Sequence, residues 1–230
     1  FNSIFLALVV GIGFGVVIGL INGLLVTKLK LPAFLATLGM MELVRGGAMW
    51  ITDTAAVPIE NKTFCNIFGI GEVAGIPVLV LWTILFYIVG ILIFNKGTFG
   101  RHILATGGNE NSAVYSGINT KKVKIIAFTM SGAFAAFAGI MYAARMQAGR
   151  YSYGDGDEMS VIAAVVLGGT AMSGGTGSVI GALFGSVLMG MMNNAVILAN
   201  LSSAQQTMFK GGIIILAVAL SNLSQGKKKN

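Results

Sequence analysis

Charge-free apolar runs alternate along this chain with short polar stretches, many of them basic. Ile4 to Thr27 carries no charge and is stopped by Lys28 and Lys30 just before Pro32. Such a run predicts a membrane-crossing helix, because a helix rising about 1.5 Å per residue needs roughly 20 residues to cross about 30 Å of hydrocarbon. Phe34 to about Ile51, Gly75 to Phe94 and Val123 to Ala144 predict three further spans, and Ser178 to Ala199 and Thr207 to Asn222 complete the set. Met159 to Met172 is apolar but short, and it runs into Gly168-Gly169-Thr170 and Ser173-Gly174-Gly175-Thr176-Gly177. That pattern predicts a broken helix or an unwound turn. The expected fold class is all-α: one polytopic transmembrane domain over residues 1–230, of about six spans, with one broken or re-entrant segment.

Lysine and arginine orient the spans, since cytoplasmic loops retain them. With Lys28 and Lys30 inside, alternation places Lys96, Arg101, Lys121, Lys122 and Lys124 inside as well. The acids Asp53, Glu60, Glu72, Asp155, Asp157 and Glu158 then all fall outside. A full crossing by the broken segment returns Lys227-Lys228-Lys229 to the cytoplasm, whereas a re-entrant hairpin strands them outside. The full crossing is therefore the favoured expectation and the hairpin its alternative.

Composition agrees with the pattern. Of 230 residues, 55% are hydrophobic and 10% charged, 33 are glycine, and the mean hydropathy is +0.84, values that exclude a soluble domain. The formal charge of +7 does not indicate nucleic acid, because the cations flank apolar runs instead of forming a stripe with interleaved aromatics. The single cysteine, Cys65, excludes an internal disulfide and a cysteine-cluster metal site, and reads as a packing residue. Phe1 opens the chain without a methionine or a signal peptide's basic flank, so the expectation is a sequence lacking its native N-terminus.

Glycines mark the helix contacts. Gly11, Gly15, Gly19 and Gly23 recur every four residues, as do Gly177, Gly181 and Gly185, and Ala135, Gly139 and Ala143 repeat the device. Lipid chains supply no hydrophobic drive between helices, so close backbone packing over small residues must hold the bundle together. Val17-Ile18-Gly19 with Gly23 also echoes Val179-Ile180-Gly181 with Gly185, either an internal repeat or convergence.

Candidate chemistry is sparse. No Gly-x-x-x-x-Gly-Lys-Ser/Thr loop occurs, so the chain shows no means of hydrolysing ATP itself. His102 stands alone as an interfacial histidine. Asp155-Gly156-Asp157-Glu158 lacks the spacing of a calcium loop and suits a helix entrance, where acids are favoured. Asn61-Lys62-Thr63 fits a glycosylation sequon, a match that arises often by chance. Glu42 and Arg45 lie within a span, where each would cost about 2.5 to 3.5 kcal/mol at mid-membrane. Their i, i+3 spacing leaves two readings, a structural ion pair or the polar lining of a substrate path. Lys210 can snorkel from a span end, and Asn193 and Asn194 suit interhelical hydrogen bonding.

The loop 95–124 is the most informative segment. Within it, Asn109 can cap a short helix, Glu110 suits the positive end of its dipole, and Gly117 can end it. A short soluble helix held against a membrane invites a soluble partner to push on it.

Ala105-Thr106-Gly107-Gly108-Asn109-Glu110 through Ser116-Gly117-Ile118-Asn119, and Ile162-Ala163-Ala164-Val165-Val166-Leu167-Gly168-Gly169-Thr170 through Gly174-Gly175-Thr176-Gly177, resemble the ribose-type sugar permeases of bacterial ABC importers. Phe34-Leu35-Ala36-Thr37-Leu38-Gly39, Arg45-Gly46, and Gln206 with Lys210 match further recurrent positions. Related permeases for xylose, galactosides, autoinducer sugars and nucleosides share these motifs. The resemblance implies a permease subunit in the bacterial inner membrane that moves a monosaccharide by alternating access. It also implies four companions: a cytosolic ABC ATPase, an extracytoplasmic sugar-binding protein, a second permease copy or paralogue, and the lipid bilayer. ATP and magnesium would belong to the ATPase, and this chain would hold no cofactor. Gly107, Gly108, Asn109, Glu110, Ala113, Ser116 and Gly117 would form the helix that docks on the ATPase. Asn111 and Ser112 depart from the two alanines common there. Glu42, Arg45, Thr170, Ser173 and Asn193 are candidates for the substrate path. A Gly-Ile-Asp-Leu-Ser stretch found in further N-terminal spans of that family is missing here. The rival readings are an ion-coupled secondary transporter, which needs no cytosolic docking helix, and a permease for nucleosides or branched-chain amino acids.

Overall fold

A computed structural model describes residues 4–202, 204–209, 211–213, 215 and 219. The readings placed on Lys210, Lys227-Lys228-Lys229 and half of the last span lie outside these residues. The described residues are mainly helical. Their long helices are α1 (Ile4–Lys28), α2 (Ala33–Ile51), α4 (Val78–Ile91), α7 (Thr120–Met146) and α9 (Val179–Leu198). Shorter helices are α3 (Lys62–Cys65), α5 (Thr98–Gly108), α6 (Glu110–Tyr115) and α8 (Asp157–Leu167). Two-residue strands β1 (Val57–Pro58) and β4 (Ala148–Gly149) pair antiparallel, as do β2 (Glu72–Val73) and β3 (Ile76–Pro77).

Among the described residues, four helical stretches, Ile4–Lys28, Val78–Lys96, Thr120–Met146 and Val179–Leu198, are long and apolar enough to cross a membrane. Val78–Lys96 continues α4 through a π-helical turn over Leu92–Lys96. α2 forms where the second span was expected, but Glu42 and Arg45 keep it out of this apolar set. The protein is an all-α integral membrane protein.

Contacts divide the chain into two compact units. The first comprises residues 1–85 and 119–154. Its centre is the seam between α1 and α7, and the glycine period explains it. A β-carbon on Gly19 would lie 2.9 Å from the Thr129 Cα, one on Gly23 2.9 Å from the Ile125 Cα, and one on Gly15 would strike Ala136 and the Gly132 carbonyl. Pairs that fall in one helix as they rise in the other make the two helices antiparallel. Gly132 answers from α7, where a β-carbon would sit 3.0 Å from the Gly19 Cα. The expected α7 ridge needs correction at Gly139, which has open space where its β-carbon would stand; the contact line runs instead through Gly132, Ala136 and Ile140. At the far end of α7, the Gly69 backbone lies against Ala144 and Arg145. Phe68 stacks with Trp82 at 5.4 Å, Trp82 meets Phe137 at 5.0 Å, and the Trp82 indole N–H donates to the Ile67 carbonyl at 2.9 Å. Cys65 is buried there, as a packing residue should be.

The second unit comprises residues 86–118 and 155–230. α8 and α9 form an antiparallel hairpin whose backbones touch. A β-carbon on Gly185 would collide with the Ala164 carbonyl and stand 3.0 Å from the Gly168 nitrogen, and one on Gly181 would collide with the Gly168 carbonyl. Gly177 does not belong to this helical ridge. It precedes α9 in the connecting loop, where its β-carbon would lie 3.3 Å from the Thr170 side chain.

The break expected from Gly168-Gly169-Thr170 onward is real and has a local cause. α8 ends when Gly169 adopts φ +87, with Gly169 N–H donating to the Val166 carbonyl at 2.9 Å and Thr170 N–H to the Val165 carbonyl at 3.1 Å. This pair of bonds is a glycine-closed C-terminal cap. Residues 168–178 then run without helix until Ser178 caps α9 by accepting from Gly181 N–H at 3.1 Å. At about 1.5 Å per residue, α8 alone is too short to cross the hydrocarbon.

Candidate functional site

In the loop between the Val78–Lys96 span and α7, the capped helix forms as its sequence suggests, while α5 before it was not expected. Asn109 has extended dihedrals, and its side-chain oxygen accepts from Ser112 N–H at 3.0 Å, which satisfies one of the first-turn donors. Glu110 occupies the first turn. Gly117, at φ +83, closes the other end, where its N–H donates to the Val114 carbonyl at 2.9 Å and Ile118 N–H to the Ala113 carbonyl at 3.0 Å. The Ser116 hydroxyl donates to the Ser112 carbonyl at 2.9 Å. Two caps thus hold a six-residue helix too short to persist by propensity alone.

Burial gives this helix two faces. Ala113 is 3% exposed and faces inward, whereas Val114 is 52% and Tyr115 91% exposed. Tyr115 therefore stands on the outward face of the helix. Sequence alone did not single out Tyr115; an aromatic residue in the last turn of a capped six-residue helix was the available signal. Gly107 and Gly108 close α5 immediately before the cap.

The substrate-path candidates separate. Glu42 and Arg45 lie on α2 of the first unit, and Arg45 Nη1 reaches Glu42 Oε1 at 3.5 Å. Arg45 also lines a cavity of about 480 Å³ in that unit with Asn22, Thr37, Ser131 and Tyr151 among the walls. Glu42 is not among the residues lining it, and its side chain is 66% exposed. The Asn22 side-chain oxygen is buried there with no hydrogen-bond partner. Thr170, Ser173 and Asn193 belong to the second unit: Thr170 and Asn193 are half-buried, and Ser173 is exposed in the loop. No group of three or more histidine, cysteine or acidic side chains that could hold a metal ion occurs among the described residues.

Residues 1–218 match the family described as branched-chain amino acid transport system / permease component. The chain belongs to that family. The ribose import permease protein of Escherichia coli K12 is 38% identical over 222 residues, covering 95% of this chain and 69% of the relative. The ribose import permease protein of Bacillus subtilis 168 is 38% identical over 86% of this chain and 62% of its own length. The L-arabinose transport system permease protein of Escherichia coli K12 is 38% identical over 91% of this chain and 63% of its own length. No solved structure matches the chain. The permease is therefore a transport subunit.

Proposed function

We propose that this permease forms part of the membrane channel of an ATP-driven importer for a monosaccharide of the ribose or arabinose class. The observation that carries the reading is α6, a doubly capped helix with an outward tyrosine in the loop between two membrane spans. A cytosolic ATPase docks on it through Gly107 to Gly117, and nucleotide-driven closure of the ATPase tilts the bundle between outward- and inward-open states. ATP and magnesium stay with that partner, and an extracytoplasmic binding protein delivers the sugar. The permease contributes geometry, and no bond is made or broken on it.

A second permease copy or paralogue completes the channel. Glu42 supports this, because a carboxylate 66% exposed on a span is costly against hydrocarbon and requires protein or water beside it. The Arg45 cavity, with polar groups from α1, α2 and α7, has the character of a passage for a hydroxyl-rich solute.

Co-purification of the full permease with its ATPase tests the docking role. Glu110→Lys with Gly117→Pro removes association, since the first reverses the charge at the helix start and the second cannot adopt φ +83. Unchanged association overturns the role of α6. Uptake of radiolabelled ribose, arabinose and leucine by cells with and without the intact gene separates the sugar reading from the amino-acid reading that the family description favours.

A further inference from the structure

We infer that the glycine-rich break between α8 and α9 is clasped to the base of the α6 helix, and that this backbone-to-backbone joint passes the ATPase's motion into the membrane hairpin. The inference rests on the docking role proposed for α6. The joint lies wholly within the second unit. A β-carbon on Gly107 would stand 2.9 Å from the Gly175 nitrogen, and one on Gly175 2.7 Å from the Gly108 Cα. One on Gly174 would strike the Gly107 carbonyl, so the fit is reciprocal. Gly174 and Gly175 both hold positive φ, +86 and +81. Two independent constraints, conformation and proximity, thus demand glycine at these positions.

Rigidity gives the contact a mechanical meaning. Side chains can absorb a displacement by changing rotamer, but two touching main chains have no such slack and must move together. The loop carrying Gly174 is closed on itself, with Gly174 N–H donating to the Ala171 carbonyl at 3.1 Å and Ala171 N–H to the Thr176 carbonyl at 3.1 Å. On its α8 side the hairpin continues through Gly168 against Gly181, again with no side chain between. On its other side, Gly108 is followed directly by Asn109, the cap of α6. Thr106, one residue before the clasp, is buried with its hydroxyl unpartnered, which marks this end of α5 as sealed by packing. A push on α6 therefore reaches α8 and α9 through main chain alone. Gly107, Gly108, Gly174 and Gly175 are positioning residues for transport, because none needs to touch the sugar.

The test compares two alanine substitutions that carry the same conformational strain. Gly175→Ala places a methyl group against Gly108, whereas Gly169→Ala, at φ +87, places one in open space. The full permease, with its ATPase and binding protein, is reconstituted in vesicles, and radiolabelled ribose import per ATP hydrolysed is measured beside ATPase association. In Gly175→Ala, association persists while import per ATP falls at least tenfold; Gly169→Ala imports within about twofold of wild type. Equal import by both variants, or equal loss in both, overturns the clasp. A wild-type permease that fails to retain the ATPase removes the docking role instead. Should Gly175→Ala fail to fold, hydrogen exchange on the wild-type complex with and without trapped nucleotide decides: residues 168–177 change protection together with residues 107–118. A change confined to 107–118 overturns the joint.

Discussion

The α1–α7 seam and the α8–α9 seam use one device and leave it in different states. In both, glycines let antiparallel backbones touch where lipid offers no hydrophobic drive. The first joins two unbroken helices of 25 and 27 residues. The second pairs a helix of 11 residues with one of 20, and its α8 stops at a glycine cap before an irregular loop. Backbone hydrogen bonding accounts for the difference in what each can do. An unbroken helix holds its amides in one ladder and resists bending, whereas residues 168–178 satisfy theirs through a few local turns and can shift as a small body. The first seam is built as a frame, and the second ends in the irregular loop that the proposed joint ties to α6.

The largest expected effect comes from wedging the frame. Gly19→Leu forces a branched side chain into the space held by Phe128 and Thr129, an over-packing that costs about 3 kcal/mol, roughly a hundredfold in the folded ratio. Thermal unfolding of the detergent-solubilised permease, followed by size-exclusion chromatography, should show a large loss for this variant. Gly190→Leu, on a part of α9 with open space around its β-carbon, should melt near the wild type. Equal melting of the two variants would remove the frame.

A smaller effect is expected at the α6 cap. Asn109→Ala deletes the acceptor for Ser112 N–H, a loss of about 1 kcal/mol for a helix cap. Amide exchange across residues 110–115 should then quicken about fivefold, the same figure expressed as an equilibrium ratio. Asn109→Ser restores a capping acceptor, its hydroxyl oxygen, and should return exchange close to its original rate. Quickened exchange in both variants would mean that α6 is held by its neighbours and not by its cap.

These expectations divide along the line between what is local in the chain and what is not. The cap at Asn109, the stop at Gly117 and the break after Leu167 each depend on dihedrals and hydrogen bonds within a few residues, so their residue types announce them. The Glu42–Arg45 pair is legible for the same reason, being three apart on one helix. The α1 half of the frame is legible from its four-residue period. Its α7 half is not, because Gly132 and Ala136 form a line of small residues as plausible as Ala135, Gly139 and Ala143. Only the partner helix decides between them. The Arg45 cavity was hidden more thoroughly, since Asn22, Thr37, Ser131 and Tyr151 come from separate stretches and none is unusual where it stands. Likewise, nothing in the spacing of Gly107 and Gly175 shows that they meet.

The α7 ambiguity permits the smallest and most discriminating measurement. Gly132 and Gly139 lie seven residues apart on one helix, two turns with nearly the same azimuth. Even so, a β-carbon on Gly132 would strike the Gly15 carbonyl while one on Gly139 meets nothing within 4 Å. A glycine inside a helix costs about 1 kcal/mol relative to alanine through backbone freedom alone. Gly139→Ala should therefore add up to about 1 kcal/mol of stability and raise the unfolding midpoint slightly, because the new methyl group displaces no protein atom. Gly132→Ala receives the same propensity gain but must push α1 aside, so its midpoint should fall. Opposite signs from the same chemical change would place the contact line on Gly132. A fall at both positions would mean that the Gly139 face is itself packed against protein in the membrane.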